Sequence, residues 1–194
     1  DEPKNAIALM DLAGLQERSG MAPAEVAKIL DQAVQAGPSS VSIRLAQIHH
    51  FIGRRDIKSA LNAAQAAVTA IPGNAEILDA LGSVQLLSGD GNQAVATFNK
   101  LAVALPKSAK AQMRLADAYL NVKNPAQAEK AFRKALELSP GDINAQRGLI
   151  ALAVQARQKD RSLQVAADIQ KQYPDDAFGN LLEGDIQIEF NDPK

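Results

Sequence analysis

The chain has 194 residues, of which 46% are hydrophobic but only 4% are aromatic, and it has neither Trp nor Cys. The formal net charge of −1, from 21 basic and 22 acidic residues, gives no concentrated excess of Lys and Arg, so nucleic-acid binding is not indicated. The missing cysteines exclude disulfides, thiol nucleophiles and zinc–thiolate sites. No apolar run approaches the ~20 residues that a membrane-spanning helix needs.

Prolines recur every 34 residues, at Pro38, Pro72, Pro106, Pro140 and Pro174. A fixed period of about 34 residues is typical of arrays of helix pairs. With the proline placed at position 32 of each 34-residue unit, the sequence predicts a single array. Its units are 7–40, 41–74, 75–108, 109–142, 143–176 and a partial unit 177–194. Each full unit should hold two antiparallel helices, helix A and helix B, which makes about eleven helices in all.

Helix A of each unit is predicted to begin at position 1, directly after a capping residue. Position 34 of the preceding unit reads Ser40, Asn74, Ser108, Asp142 and Asp176. Each of these side chains can accept a hydrogen bond from an N–H group of the first helical turn. The proline two residues earlier cannot continue the preceding helix B.

Helix B of each unit is predicted to begin at position 17, after a short turn. Gly20, Gly53 and Gly89 are predicted to form this turn in three units. The capping residues at position 16 are Asp56, Asp90, Asn124 and Asp192. Position 17 is proline at Pro23, Pro125 and Pro193, and proline favours the first helical position.

The interior of each unit shows a recurrent pattern of small and large residues. Position 8 is small in Gly14, Gly82, Ala116 and Gly184. Glycine inside a helix costs about 1 kcal/mol relative to alanine, so its recurrence predicts a close approach of helix A to helix B. Position 24 is large in Leu30, Phe98 and Phe132, which are predicted to pack against the neighbouring helix. Alanine recurs at position 20 (Ala60, Ala94, Ala128) and at position 27 (Ala33, Ala67, Ala135).

These positions resemble the tetratricopeptide repeat (TPR). Unit 109–142 fits best, with Leu115, Ala116, Tyr119, Ala128, Phe132, Ala135 and Pro140. Other units depart from the pattern. Ile48 and Ile150 replace the small residue at position 8, and Glu17, Gln85 and Ala153 replace the aromatic residue at position 11. The resemblance implies an all-α, right-handed superhelical solenoid that acts as a scaffold for binding proteins.

Three short runs of the sequence carry a narrower resemblance. The runs LLSGDGNQAVATFNKLAVALP, AQRGLIALAVQ and LLEGDI are similar to the TPR-repeat lipoprotein of the PEP-CTERM/exosortase system. That resemblance implies a role in bacterial exopolysaccharide export or exosortase-linked protein sorting. It also implies a periplasmic or outer-membrane-associated location, with a lipid anchor on the full-length protein.

Both ends of the sequence favour a fragment of a longer array. The chain begins at Asp1 without a Met, and 190–194 read as the opening of another helix B. The last helix A would then expose an apolar face (Phe178, Leu181, Leu182 and Ile186), and a second copy of the chain could cover it.

Catalytic and metal-binding residues are not indicated. His49 and His50 are adjacent on a predicted helix and point about 100° apart, so they cannot share one metal as an i, i+4 pair can. We expect His49, at position 9, to face the inner surface and His50 to face a flank. The sequence shows no acidic pair spaced for acid–base work and no Gly-rich phosphate loop. We therefore predict a protein that is not an enzyme and binds neither cofactor nor metal.

The TPR resemblance places a peptide-binding groove along the A helices, at positions 2, 5, 9, 12 and 13. Position 12 is apolar in Ile52, Leu86, Leu120, Val154 and Ile188, which indicates either an apolar stripe in the groove or packing between A helices. Positions 5 and 9 vary more, and we expect them to bind the ligand, an extended peptide or an amphipathic helix. The predicted ligand-binding residues are His49, Asp79, Lys110, Met113, Arg114, Asp117 and Arg147.

Two alternatives to a general scaffold remain. Lys110 and Arg114 match two of the five clamp residues with which TPR co-chaperones bind a C-terminal carboxylate. Leu45, His49 and Ala80 stand where the other three are required, so a solvated helix flank is the simpler interpretation. The first alternative is a receptor for peptide C-termini, and the second is the non-catalytic arm of a larger enzyme.

Overall fold

The computed structural model describes residues 2–172, 174 and 178–190, and over these ranges it contains eleven α-helices and no strand. The helices are α1 (Glu2–Arg18), α2 (Pro23–Ala36), α3 (Val41–Gly53), α4 (Ile57–Ala70), α5 (Ala75–Leu87), α6 (Gly91–Ala104), α7 (Ala109–Asn121), α8 (Pro125–Leu138), α9 (Ile143–Gln155), α10 (Lys159–Gln172) and α11 (Phe178–Phe190). The predicted all-α fold and number of helices are confirmed. None of the helices described is long and apolar enough to cross a bilayer.

The helices belong to two compact units, Asp1–Pro106 and Lys107–Lys194. Unit 1 contains α1 to α6, and unit 2 contains α7 to α11. Within each unit, consecutive helices pack against each other, which buries an apolar face of every helix pair. In unit 1, helix A of one repeat also packs on helix A of the next, as α3 does on α5.

Helix A begins at the predicted residue in four repeats: Val41, Ala75, Ala109 and Ile143. Asn74, Ser108 and Asp142 cap these helices as predicted, at 3.0 to 3.2 Å from backbone N–H groups three residues ahead. The prediction for Ser40 is wrong, because its side chain accepts no hydrogen bond from a backbone N–H group of the first turn. Its hydroxyl lies 3.1 Å from the hydroxyl of Ser42 instead.

The first helix departs from the predicted start at Ile7. α1 begins at Glu2, because nothing stops a helix before Ile7. Lys4 and Ala6 stand where the other repeats have the proline and the capping residue. The extension is useful to the fold, since Ala6 is buried against the start of α3.

Helix B begins at position 17 in five repeats: Pro23, Ile57, Gly91, Pro125 and Lys159. Asp56 and Asn124 cap their helices as predicted, at 3.0 and 3.2 Å from backbone N–H groups three residues ahead. Asp90 does not, because its carboxylate accepts a hydrogen bond from the Ser88 hydroxyl at 2.8 Å. Three predicted terminal residues lie outside the described residues: Asp176, Asp192 and Pro193.

The turn between the helices needs one residue with a left-handed backbone. Gly20 (φ 84°) and Gly89 (φ 85°) provide it as predicted. The prediction for Gly53 is wrong, since this residue is the last of α3 and the left-handed residue is Arg55 (φ 58°). Lys123 (φ 56°) and Arg157 (φ 55°) take the same place in later repeats. The turn geometry therefore recurs even where glycine does not.

The repeat core forms largely as predicted. The alanines at positions 20 and 27 are fully buried. A Cβ at Gly82 would lie 2.6 Å from the ring of Phe98, which confirms a close approach there. The prediction is wrong for Gly14 and Gly184, where nothing lies within 4 Å of the Cβ site. In the first repeat position 24 is Leu30, whose side chain does not reach as far as a phenyl ring.

Repeats with a large residue at position 8 have a small one at position 24. Ile48 and Ala64 are both fully buried in one apolar cluster, and Ile150 and Ala166 are buried together in another. The departures of Ile48 and Ile150 from the TPR pattern are thus compensated on the opposite helix, so that the core volume is kept.

Candidate functional site

A groove of about 670 Å³ opens on the helix-A side of unit 2, between α7 and α9. Lys110, Met113, Arg114, Asp117 and Leu120 line it from α7. Asp142, Asn144, Arg147, Gly148 and Ala151 line it from α9 and its cap, and Phe132 of α8 lies at its base. We call this the helix-A groove. It brings together five of the seven predicted ligand-binding residues.

Helical spacing explains how these side chains come to share the groove. On α7 they lie three or four residues apart, from Lys110 through Arg114 to Asp117, and residues so spaced share one face of a helix. On α9 the same spacing runs from Asn144 through Gly148 to Ala151. The two helices therefore turn matching faces toward the groove.

The base of the groove depends on a glycine that the sequence analysis missed. A Cβ at Gly148 would lie 2.5 Å from Cζ of Phe132, so α9 can rest on this phenyl ring only because Gly148 has no side chain. Position 6 is small at Ala46 and Ala80 but large at Leu12, Arg114 and Leu182, so the repeat pattern does not single out a glycine there. The available signal was local, since a glycine inside a helix is unfavourable and implies a packing reason.

The charge in the helix-A groove is mixed, with an excess of cations. Lys110, Arg114 and Arg147 oppose two carboxylates. One of these, Asp142, already accepts hydrogen bonds from the first N–H groups of α9 at 3.0 and 3.1 Å. The other, Asp117, stays partly open to solvent, but partial desolvation of its carboxyl in the groove raises its pKa above the ordinary value, and the positive charge of Arg114 opposes part of this rise. The groove therefore favours a ligand that carries negative charge.

The other two predicted residues lie in unit 1 and do not line this groove. His49 is exposed on α3, and Asp79 is half-buried on α5. The expectation that His50 faces a flank is wrong. It is buried, with Nδ1 3.0 Å from Oε1 of Glu17. The cause is that α1 packs on α3 at this point, so that Glu17 reaches the imidazole from the position where other repeats carry an aromatic residue.

The apolar residues at position 12 divide between packing and exposure. Ile52 and Val154 are half-buried and pack against the cores of their units. Leu120 is 39% exposed and lines the helix-A groove, and Ile188 is 74% exposed on α11. Both interpretations of this position are therefore realised, at different repeats.

Comparisons with known proteins agree with this architecture. Family models described as tetratricopeptide repeat match residues 45–109 and 109–142. No curated protein matches the sequence.

Three solved structures illustrate the likeness of fold. A TPR protein from Parabacteroides merdae is 18% identical over 96% of this chain and 73% of its own, with a TM-score of 0.75. PilF from Pseudomonas aeruginosa is 20% identical over 98% and 86%, with a TM-score of 0.71. YrrB, described as a TPR protein with an unusual peptide-binding site, is 15% identical over 92% of each chain, with a TM-score of 0.67. At these identities the likeness shows the fold alone. The repeats matched by the family models cover residues 45–142, half of the sequence, and the chain belongs to the tetratricopeptide repeat family.

Proposed function

We propose that this protein is a non-catalytic scaffold that binds a peptide or helix of a partner protein in the helix-A groove. TPR proteins generally act as scaffolds for protein interactions. The observation that supports this site is the groove itself, where three cationic side chains surround an apolar base. The partner segment that suits it carries carboxylates together with at least one large apolar side chain.

Each part of the groove has a defined task in this proposal. Arg114 and Arg147 would donate charge-assisted hydrogen bonds to partner carboxylates, which are about twice as strong as neutral ones. Met113 and Leu120 would cover the partner's apolar side chain, at roughly 25 cal/mol for each Å² removed from water. Asp117 would disfavour a carboxylate placed beside it, and so fix the register of the partner.

The test uses peptides selected from a displayed random library against this chain. We expect Arg114→Glu and Met113→Glu each to weaken the selected peptides at least about tenfold by calorimetry, or about 1.4 kcal/mol. Lys100→Glu makes the same charge change at an exposed site on α6 and should leave affinity unchanged. Unaltered binding by both groove variants, with helical content intact, would reject this site.

A second candidate function is a receptor for a peptide's C-terminal carboxylate. Lys110 and Arg114 match part of a carboxylate clamp, and the groove adds Arg147 to them. The selected peptides should be compared with a free and with an amidated C-terminus. A tenfold or greater loss on amidation supports the receptor, and equal affinities support the general scaffold.

We propose, from the narrower sequence resemblance, that the protein acts in bacterial exopolysaccharide export or PEP-CTERM/exosortase sorting. Its location would be periplasmic or outer-membrane-associated, with a lipid anchor on the full-length protein. Radiolabelled-lipid incorporation and fractionation of the native protein test this. A full-length protein in the cytoplasm without a lipid would contradict it.

We also propose self-association through α11. The apolar face predicted for this helix is exposed only in part, because Leu182 and Ile186 are buried against α9 and α10. The surface left open carries Leu181 (65% exposed) and Ile188 (74% exposed). Light scattering should then show a dimer that Ile188→Glu dissociates. A wild-type monomer at high concentration would contradict this.

A further inference from the structure

A second cleft lies on the helix-B side of unit 2, between α8 and α10. It consists of two adjoining cavities of about 240 and 540 Å³. Arg133, Leu149, Arg161 and Val165 line both cavities, so the two are continuous at this point. The smaller extends along the first turns of α8 and the larger along its last turns. We call the pair the helix-B cleft. It shares no lining residue with the helix-A groove.

The cleft has helical walls and an apolar base. Its walls, α8 and α10, run in the same direction, and α9 runs antiparallel beneath them, as the order of lining residues along each helix shows. Leu136, Leu149, Val165 and Ile169 line the larger cavity. Because α8 has 14 residues at about 1.5 Å each, the cleft is roughly 20 Å long.

A basic cluster marks the middle of the cleft. Oε1 of Glu129 lies 2.7 Å from the guanidinium of Arg133 and also accepts a hydrogen bond from Arg161. One carboxylate thus faces two guanidinium groups, which leaves a net positive charge between the walls. Each guanidinium has five N–H donors in a fork that suits a second carboxylate.

The far end of the cleft is acidic. Glu137 on α8 and Asp168 on α10 line it from opposite walls. Lys134 lies 2.6 Å from Glu137, and Asp168 accepts a hydrogen bond from Gln164 at 2.9 Å. Two carboxylates with one cation leave a net negative charge. The cleft is therefore positive in the middle, negative at one end and apolar beneath.

We infer that the helix-B cleft docks an amphipathic helix of a partner protein. A helix lays rows of side chains into the groove between two other helices, and a cavity of 540 Å³ receives such side chains while the helix itself stays above the walls. The docked helix carries a carboxylate that meets Arg133 and Arg161, and a cation that meets Glu137 and Asp168. Between the two charges it presents leucine-like side chains to Val165. This partner binds independently of the helix-A groove.

The probe is a synthetic, fluorescein-labelled helix about 14 residues long, to match the cleft. Leucines recur every three or four residues, with glutamates at one end and lysines at the other. Its affinity for the whole chain is measured by fluorescence anisotropy. We expect Val165→Glu to abolish binding, and Arg161→Glu and Asp168→Lys each to weaken it about tenfold. Leu120→Glu, in the helix-A groove, is the matched control and should have no effect.

A probe with reversed charge distinguishes a loss of charge recognition from a general disruption of the helix-B cleft. A second probe, with lysines in place of the glutamates, should bind Arg161→Glu better than it binds the wild type. Circular dichroism shows whether Val165→Glu still folds. If it does not, Arg161→Glu and Asp168→Lys test the inference without it, because both change exposed residues. Absence of binding by the first probe, a loss with Leu120→Glu, or no rescue would overturn the inference.

Discussion

Repeats 41–74 and 109–142 fill the same core space from opposite helices. In the first, helix A supplies the large Ile48 and helix B the small Ala64. In the second, helix A supplies Ala116 and helix B supplies Phe132. All four side chains are at most 2% exposed. Positions 8 and 24 therefore share one volume, which a protein interior packed as densely as a crystal can fill only once.

The choice of helix has a consequence at the surface. The ring of Phe132, coming from helix B, reaches α9 at Gly148 and forms the base of the helix-A groove. In the earlier repeat, Leu45 and Ile52 pack instead on a core shared by α3, α4 and α5. In repeat 109–142 the aromatic residue at position 24 therefore forms the base of the helix-A groove, whereas in repeat 41–74 the isoleucine at position 8 belongs to a core on which residues of helix A pack.

The largest effect should come from removing the ring. We expect Phe132→Ala to lower the free energy of unfolding by about 3–5 kcal/mol, because the transfer term and a cavity add. Ile48→Ala removes less volume and should cost about 2–5 kcal/mol, toward the lower end. Urea unfolding followed by circular dichroism measures both. A loss below about 1 kcal/mol for Phe132→Ala would contradict its role in the core.

Exchanging the large and the small residue at positions 8 and 24 of repeat 41–74 tests whether these positions share one volume. Ile48→Ala leaves a cavity, and Ala64→Phe alone overpacks the core at a cost of about 1–3 kcal/mol. Combined, the two changes copy the arrangement of Ala116 and Phe132, and we expect a favourable coupling energy of about 1–3 kcal/mol. Purely additive effects in the double-mutant cycle would show that the two positions are independent.

Glycines offer a third test, since two of them differ only in their surroundings. A Cβ at Gly148 would overlap Phe132, so Gly148→Ala should destabilise unit 2 by about 1–3 kcal/mol. A Cβ at Gly184 meets nothing within 4 Å, so Gly184→Ala should stabilise α11 by up to about 1 kcal/mol. Thermal melts of the two variants should shift in opposite directions. Equal shifts would mean that packing at the groove base is not tight.

Features that recur from repeat to repeat could be predicted from the sequence, whereas contacts that occur once could not. The period, the caps and the alanines place helix ends and core because each is repeated and each has a local cause, such as the proline that stops helix B. Gly148 is the only glycine at position 6, where two other repeats carry Ala46 and Ala80 and the rest carry large residues. The contact of Glu17 with His50 joins different repeats, and no local signal in either helix announces it.

The groove was predicted in part for the same reason. Lys110, Arg114 and Asp117 share a face through helical spacing alone, so their grouping follows from the sequence. Which A helices enclose a groove depends on how side chains fill the space between helices, and that requires the structure. His49 occupies the same repeat position as Asp117, and Asp79 the same position as Met113, yet neither His49 nor Asp79 lines the helix-A groove.

The turn before helix B has the same backbone geometry in both compared repeats. Arg55 and Lys123 both hold a left-handed backbone in the turn before helix B. A left-handed backbone costs a residue with a side chain about 1–2 kcal/mol. Glycine avoids this cost, but its greater conformational freedom in the unfolded chain cancels part of the gain. Arg55→Gly and Lys123→Gly should therefore each stabilise the protein by about 0.5–1 kcal/mol, equally in both repeats. Gly89→Ala, the reverse change, should destabilise it. A loss of stability with Lys123→Gly would mean that its side chain matters more than its backbone.

The smallest effect should come from position 9, which is His49 in one repeat and Asp117 in the other. Because burial raises the pKa of Asp117, the ionised carboxylate disfavours the folded state. The folded protein then holds this proton at a pH where the unfolded chain has lost it, so stability falls as pH rises from the ordinary Asp pKa through the raised one.

Asp117→Asn removes the titration. It should match the wild type below both pKa values and exceed it in stability above them. Arg114→Gln removes the opposing positive charge and should deepen the loss with pH. Urea unfolding across acidic to neutral pH measures these differences in stability. If the Asn variant is less stable than the wild type at neutral pH, attraction to positive charge stabilises the Asp117 carboxylate by more than desolvation destabilises it.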